Sequence, residues 1–117
     1  MKMIVAIIRP ERLEAVQAAL NAQDVYLMTV SDVRGCGRQR GYTEVYRGTE
    51  VVIRLLPKLK LEIAVNDAFV EATIEAIVHA ARTPETGQIG DGKIFVLPMD
   101  DCVRIRTGER GTAAIGP

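Results

Sequence analysis

Met3-Ile4-Val5-Ala6-Ile7-Ile8 is apolar without a break and rich in β-branched side chains. A run so short, with no polar face, predicts a buried strand. Pro10 then opens a helix, with Leu13, Val16, Ala19 and Leu20 at the spacing of one helical face. Val25 to Val33 predicts a second strand. Leu59, Leu61, Ile63 and Val65 alternate with Lys60, Glu62 and Ala64, the pattern of a strand with one buried face. Asp67 is placed to cap a second helix, in which Val70, Ile74, Ile77 and Ala81 share a side. Ile94 to Leu97 reads as the last strand, and Val103 to Thr107 as one more short extended piece.

The order is β-α-β-β-α-β, which predicts an α+β, ferredoxin-like fold. Both helices then cover one face of a four-stranded antiparallel sheet. The other face is short of charge in several strands, and self-association is the economical way to cover it. Between the second and third strands, residues 37–55 are polar, carry glycine and lack steady periodicity. They predict an exposed loop of about twenty residues, a length that in a compact domain usually serves function.

Composition narrows the picture. At 117 residues, with no Pro/Gly/Ser-rich linker, residues 1–117 are expected to form a single domain. No apolar run reaches the length of a membrane span, and the first residues read as a strand rather than a signal peptide. Cys36 and Cys102 make neither a disulfide framework nor a zinc spacing, and His79 is alone, so a reducing cytoplasm is the expected location. Net charge is zero. Arg34, Arg38, Arg40, Arg47, Arg54 and Lys58 nevertheless crowd around the long loop, opposed mainly by Glu44 and Glu50. Low aromatic content argues against stacking on single-stranded nucleic acid.

The candidate chemistry lies in Gly87-Gln88-Ile89-Gly90-Asp91-Gly92-Lys93, which runs into the last strand. Closely spaced glycines leave backbone N–H groups unshielded and let the chain form an anion-holding nest, with Lys93 at its rim. Arg104 and Arg106, read as extended, fall on one face and add two guanidinium groups. Together they describe a polyphosphate site. The loop satisfies G-x-x-x-x-G-K, yet Ile94 stands where a Walker loop has the Ser or Thr that holds magnesium. A Walker loop also leads from strand to helix, whereas this one leads from helix to strand.

The chain resembles the PII signal-transduction proteins over nearly its whole length. The resemblance is carried by Met1 to Pro10, by Gly35-Cys36-Gly37-Arg38-Gln39-Arg40-Gly41, and by Tyr46-Arg47-Gly48 with Leu56-Pro57-Lys58. Gly87 to Val96 and Arg104-Ile105-Arg106-Thr107-Gly108-Glu109 complete it. It implies a non-enzymatic homotrimer with nucleotide sites between subunits. Such proteins bind ATP and ADP competitively and 2-oxoglutarate together with MgATP. Their long loop regulates ammonium transporters and enzymes or regulators of nitrogen assimilation, which implies a cytoplasmic protein that can reach the membrane through a transporter.

Residue by residue, the resemblance implies that Gly87, Gly90, Asp91, Gly92 and Lys93 form the phosphate loop, helped by Arg104 and Arg106. Arg38 then reaches the terminal phosphate, Gln39 ligates Mg with the phosphates and 2-oxoglutarate, and Lys58 pairs with the distal carboxylate of 2-oxoglutarate. Ile7, Thr29, Gly35, Gly37, Glu62 and Ala64 surround base and ribose. Tyr46 and Arg47 contact the partner, with Arg47 entering the transporter pore. Magnesium held by an amide, phosphates and a ligand suits its preference for few protein oxygens.

The sequence departs from the family pattern at three places. Val51 stands where uridylylated relatives have tyrosine, so that modification has no hydroxyl at residue 51. Thr49 occupies the place of a serine phosphorylated in some relatives, with Arg47 close by. Pro84-Glu85-Thr86 reads as a short insertion, leaving open whether Thr83 or Thr86 faces nucleotide.

Two other readings compete. A small ATPase or phosphotransferase needs a positioned base or water-orienting group, and no His or convincing carboxylate accompanies the loop. A nucleic-acid module on the same topology is the third. An ATP/ADP sensor without a 2-oxoglutarate response is a variant of the first.

Overall fold

The computed structural model describes residues 1–36 and 54–116. Strand β1 (Lys2–Ile8) is followed by a 3-10 turn (Pro10–Arg12) and helix α1 (Leu13–Asn21). Next come β2 (Thr29–Gly35), β3 (Leu56–Val65), a second 3-10 turn (Asp67–Phe69) and α2 (Val70–Ala81). Strand β4 (Gly92–Pro98) and the short helix α3 (Thr112–Ile115) complete the order. The sheet is antiparallel with strand order β2-β3-β1-β4, the ferredoxin-like α+β arrangement.

Alternation decides which face each strand buries. Ile4, Ala6 and Ile8 of β1 and Leu59, Leu61, Ile63 and Val65 of β3 point under the helices and are buried. Val16 and Leu20 of α1 and Ile77 of α2 close over them. Fully burying a side chain of this kind contributes about 1.5–3 kcal/mol. Arg12 ties the helices together, donating from Nε and Nη2 to the Ala80 carbonyl at 2.9 and 2.7 Å. The opposite face carries Met3, Val5, Ile7, Phe95 and Leu97, as the register shows. It is not free of charge, because Lys58, Lys60 and Glu62 share it on β3.

Several boundaries differ from the sequence reading. Strand β2 starts at Thr29, not Val25. The Val25 N–H closes α1 by donating to the Leu20 carbonyl, its side chain plugs the core, and Tyr26 and Leu27 stay exposed. Strand β3 starts at Leu56 and passes through Pro57. The β1 pairing ends at Leu59, so Pro57 has a strand on one side only, an edge-like position of the kind that proline tolerates. Asp67 does not cap the second helix: it opens the preceding 3-10 turn, Phe69 stands at the N-cap of α2 without a side-chain bond, and Asp67 accepts from the Met1 ammonium at 2.6 Å.

The C-terminal piece is the largest correction. Residues 104–109 are not extended. The Arg104 N–H donates to the Glu109 carbonyl, Gly108 N–H donates back to the Arg104 carbonyl, and Gly108 takes φ +74°, closing a turn. The alternation that was to align Arg104 with Arg106 therefore does not apply. Helix α3, absent from the sequence reading, buries Ile115. The segment 37–53 expected as the long loop lies outside the described residues.

Candidate functional site

The glycine loop joins α2 to β4. Gly87 N–H donates to the Thr83 carbonyl at 3.0 Å, so Thr83 and Gly87 meet and Pro84-Glu85-Thr86 bulges outward between them. The insertion therefore leaves the run from Gly87 to Lys93 unlengthened. Asp91 organises that run from inside. Its carboxylate accepts from the Thr83 N–H and hydroxyl, from the Gln88 N–H and from Arg9 Nε. Burial pushes the Asp91 carboxyl up, but the donors from Thr83, Gln88 and Arg9 outweigh it and hold it well below the usual carboxylate range.

Two cations from the body of the protein grip the loop's carbonyls. Arg9 Nη2 donates to the Ile89 carbonyl at 3.0 Å, and Lys58 Nζ donates to the Gly90 carbonyl at 2.6 Å. Partial burial lowers the Lys58 ammonium's proton affinity, and the nearby Arg9 charge adds to the effect. Gly92 has φ +116° and lies so close to β1 that an added Cβ would stand 1.7 Å from the Ile7 carbonyl oxygen. Only glycine fits there.

Beside this loop a cleft of about 590 Å³ opens, lined by Ile7, Val33, Arg34, Gly35, Cys36, Lys58, Ile89, Gly90, Gly92, Lys93 and Phe95. Six expected site residues thus come together: Ile7, Gly35, Lys58, Gly90, Gly92 and Lys93. A second cleft of about 610 Å³, on the helix side, takes in Gly87 and Asp91 together with Ile74, Ile77 and Thr86. Thr83 commits its hydroxyl to Asp91, while Thr86 lines this second cleft.

The other expected residues lie elsewhere on the chain. Glu62 pairs with Thr29 and Val5, and Ala64 pairs with Met3, four to six residues along β3 from Lys58. That is about 13–20 Å at strand rise. Arg104 lies at this far end of the sheet. Its guanidinium donates to Glu109 at 2.6 Å and to the Ala113 carbonyl at 3.0 Å, and Asn66, directly after β3, donates to the carbonyls of Thr112 and Gly116. Arg106 is exposed. The expected residues therefore form two groups at opposite ends of one sheet. Gly37, Arg38, Gln39, Tyr46 and Arg47 lie outside the described residues.

Arg9, Arg34 and Cys36 were missing from the sequence-derived set. The β2 register, with Val33 opposite Lys58, brings Arg34 and Cys36 to the cleft. Arg9 carries a signal only in hindsight: it is the charged residue between an apolar strand and Pro10. Among the described residues no group of His, Cys, Asp and Glu could hold a metal ion, and no helix is long and apolar enough to cross a membrane.

The profile of the nitrogen regulatory protein P-II family matches residues 1–109. A nitrogen regulatory protein P-II 2 from Methanothermobacter thermautotrophicus is 57% identical over 115 residues, covering 98% of this chain and 97% of that one. A nitrogen regulatory protein P-II from Rhizobium etli is 52% identical, covering 98% of this chain and all of its own. Among solved structures, Arabidopsis thaliana PII bound to citrate superposes with a TM-score of 0.77 at 41% identity, covering 97% of this chain and 88% of that one.

Proposed function

Since the chain belongs to the nitrogen regulatory P-II family of non-enzymatic signal-transduction proteins, we propose that it is a homotrimeric sensor of ATP, ADP and 2-oxoglutarate. Its long loop then sets the activity of a nitrogen-assimilation partner, an ammonium transporter or a metabolic enzyme. The observation that carries the reading is the cleft in which Lys58, Lys93 and the Gly90–Gly92 turn converge. Two ammonium groups and a glycine turn suit polyphosphate and carboxylate groups. Citrate on the Arabidopsis relative accords with carboxylate recognition in this fold.

The two separated groups of residues support the oligomer. One end of the sheet carries Ile7, Gly35, Lys58, Gly90, Gly92 and Lys93; the other carries Thr29, Glu62, Ala64, Arg104 and Arg106. A cyclic, head-to-tail assembly brings the first group of one subunit against the second group of the next. The nucleotide then sits between subunits, with Gly37 among the residues around base and ribose, Arg38 reaching the terminal phosphate and Gln39 completing the Mg site with phosphates and 2-oxoglutarate. Tyr46 and Arg47 are left to meet the partner.

Calorimetric titration of 2-oxoglutarate into the protein with MgATP, with MgADP and with neither tests this. Binding only with MgATP is expected, and Gln39→Ala is expected to keep ATP binding but lose the 2-oxoglutarate response. ATP binding with no response to 2-oxoglutarate would reduce the protein to an energy sensor. Lys93→Ala is expected to weaken ATP at least tenfold, and unchanged affinity would remove the phosphate reading.

A further inference from the structure

The phosphate loop's shape depends on a residue outside it. We propose that Arg9 is a positioning residue for phosphate binding, acting through Asp91 and the Ile89 carbonyl to aim the Ile89–Gly90 peptide; this rests on the nucleotide reading above.

Arg9 makes two contacts with the loop, Nε to Asp91 at 3.0 Å and Nη2 to the Ile89 carbonyl at 3.0 Å. A planar guanidinium serves both from two nitrogens held in a fixed fork, a geometry that the single nitrogen of an ammonium does not reproduce. With the Ile89 oxygen turned toward Arg9, the planar trans peptide turns the Gly90 N–H to the opposite side. That N–H has no acceptor among the described residues. The next carbonyl, of Gly90, is turned toward Lys58. Two successive oxygens of the loop are thus drawn onto cations, and a donor of the kind an anion nest needs is left unspent. Asp91 makes the grip rigid, because its two oxygens also collect the Thr83 and Gln88 donors.

The arrangement predicts a sign that simple electrostatics does not. Asp91 is a negative charge beside a proposed phosphate site, so neutralising it by Asp91→Asn would tighten ATP if only charge mattered. A positioning role predicts the reverse. All four donors converge on the two carboxylate oxygens; an asparagine NH₂ opposes the Thr83 and Gln88 N–H groups if turned one way and Arg9 Nε if turned the other, where only the Thr83 hydroxyl can rotate to accept from it.

The experiment is ATP titration of the intact protein carrying Asp91→Asn, Arg9→Gln, Arg9→Lys and the double change Arg9→Gln/Asp91→Asn, with melting temperature and oligomeric mass recorded for each. Asp91→Asn and Arg9→Gln are each expected to weaken ATP about tenfold or more. The double variant is expected to be no weaker than the worse single, since both act through one device. Arg9→Lys, which keeps the charge but not the fork, is expected between wild type and Arg9→Gln. Arg12→Gln, which breaks the helix tie at Ala80, is expected to lower the melting temperature and leave ATP affinity within twofold.

Wild-type affinity in Arg9→Gln, tighter binding in Asp91→Asn, or additive losses in the double would overturn the proposal. If Arg9→Gln does not fold, Arg9→Lys decides, and wild-type affinity there would overturn it as well. A wild-type protein that binds no ATP would remove the nucleotide reading itself. ATP binding that is sensitive to Lys93→Ala but indifferent to Arg9 would remove only this inference.

Discussion

Asp91 carries acid sensitivity for the whole loop. Its folded proton affinity is depressed, so its contribution to stability is fully present above the unfolded value of about 3.9. The contribution is lost as pH falls through the lower folded value. Asp91→Asn is expected to cost about 1–3 kcal/mol at pH 7. The gap to wild type, followed by urea unfolding, is expected to shrink below about pH 4. A gap that stays constant with pH would mean the carboxylate's bonds contribute nothing. Gly92 is the steric counterpart. Gly92→Ala forces a Cβ into the Ile7 carbonyl at φ +116°, and about 3 kcal/mol or more of stability is expected to go with it. A melting temperature within 2 °C of wild type would show that β4 can shift away.

At the scale of elements, the strands and helices were legible wherever burial imposes a period. Leu59, Leu61, Ile63 and Val65 alternate because one face is sealed under the helices. Leu61→Ala is therefore expected to cost about 2–5 kcal/mol, read from the urea midpoint. Where burial is not the cause, the pattern misled. Val25 is apolar because it plugs the end of α1, not because it belongs to a strand. Arg104-Ile105-Arg106 looks extended by alternation, yet Ile105 is fully exposed and the turn is set by the backbone bonds of Arg104, Gly108 and Glu109. The glycine loop stood out in the sequence as a candidate anion site because its residue types are rare together. Its internal support was not, since Arg9 and Asp91 are 82 positions apart and only the β1–β4 register joins them.

The whole molecule turns on the sheet face the helices do not cover. Phe95 is 50% exposed and Leu97 45%, with Met3, Val5 and Ile7 beside them on the same face. Such a face is rare on a lone subunit, and the proposed trimer both covers it and brings the two groups of site residues together. These two consequences can be separated by experiment. Leu97→Asp puts an unpaired charge on the covered face and lies outside the cleft lining, leaving Lys58, Lys93 and the Asp91 network intact. If assembly completes the site, light scattering is expected to show the mass falling from three chains to one, and ATP binding is expected to fall with it. If the mass falls while ATP binds as before, the cleft beside Lys58 suffices alone, and Arg104 and Arg106 of a neighbour are not needed. A variant that stays trimeric would mean that subunits join through another surface, because a carboxylate cannot be buried unpaired against this apolar face without a heavy penalty.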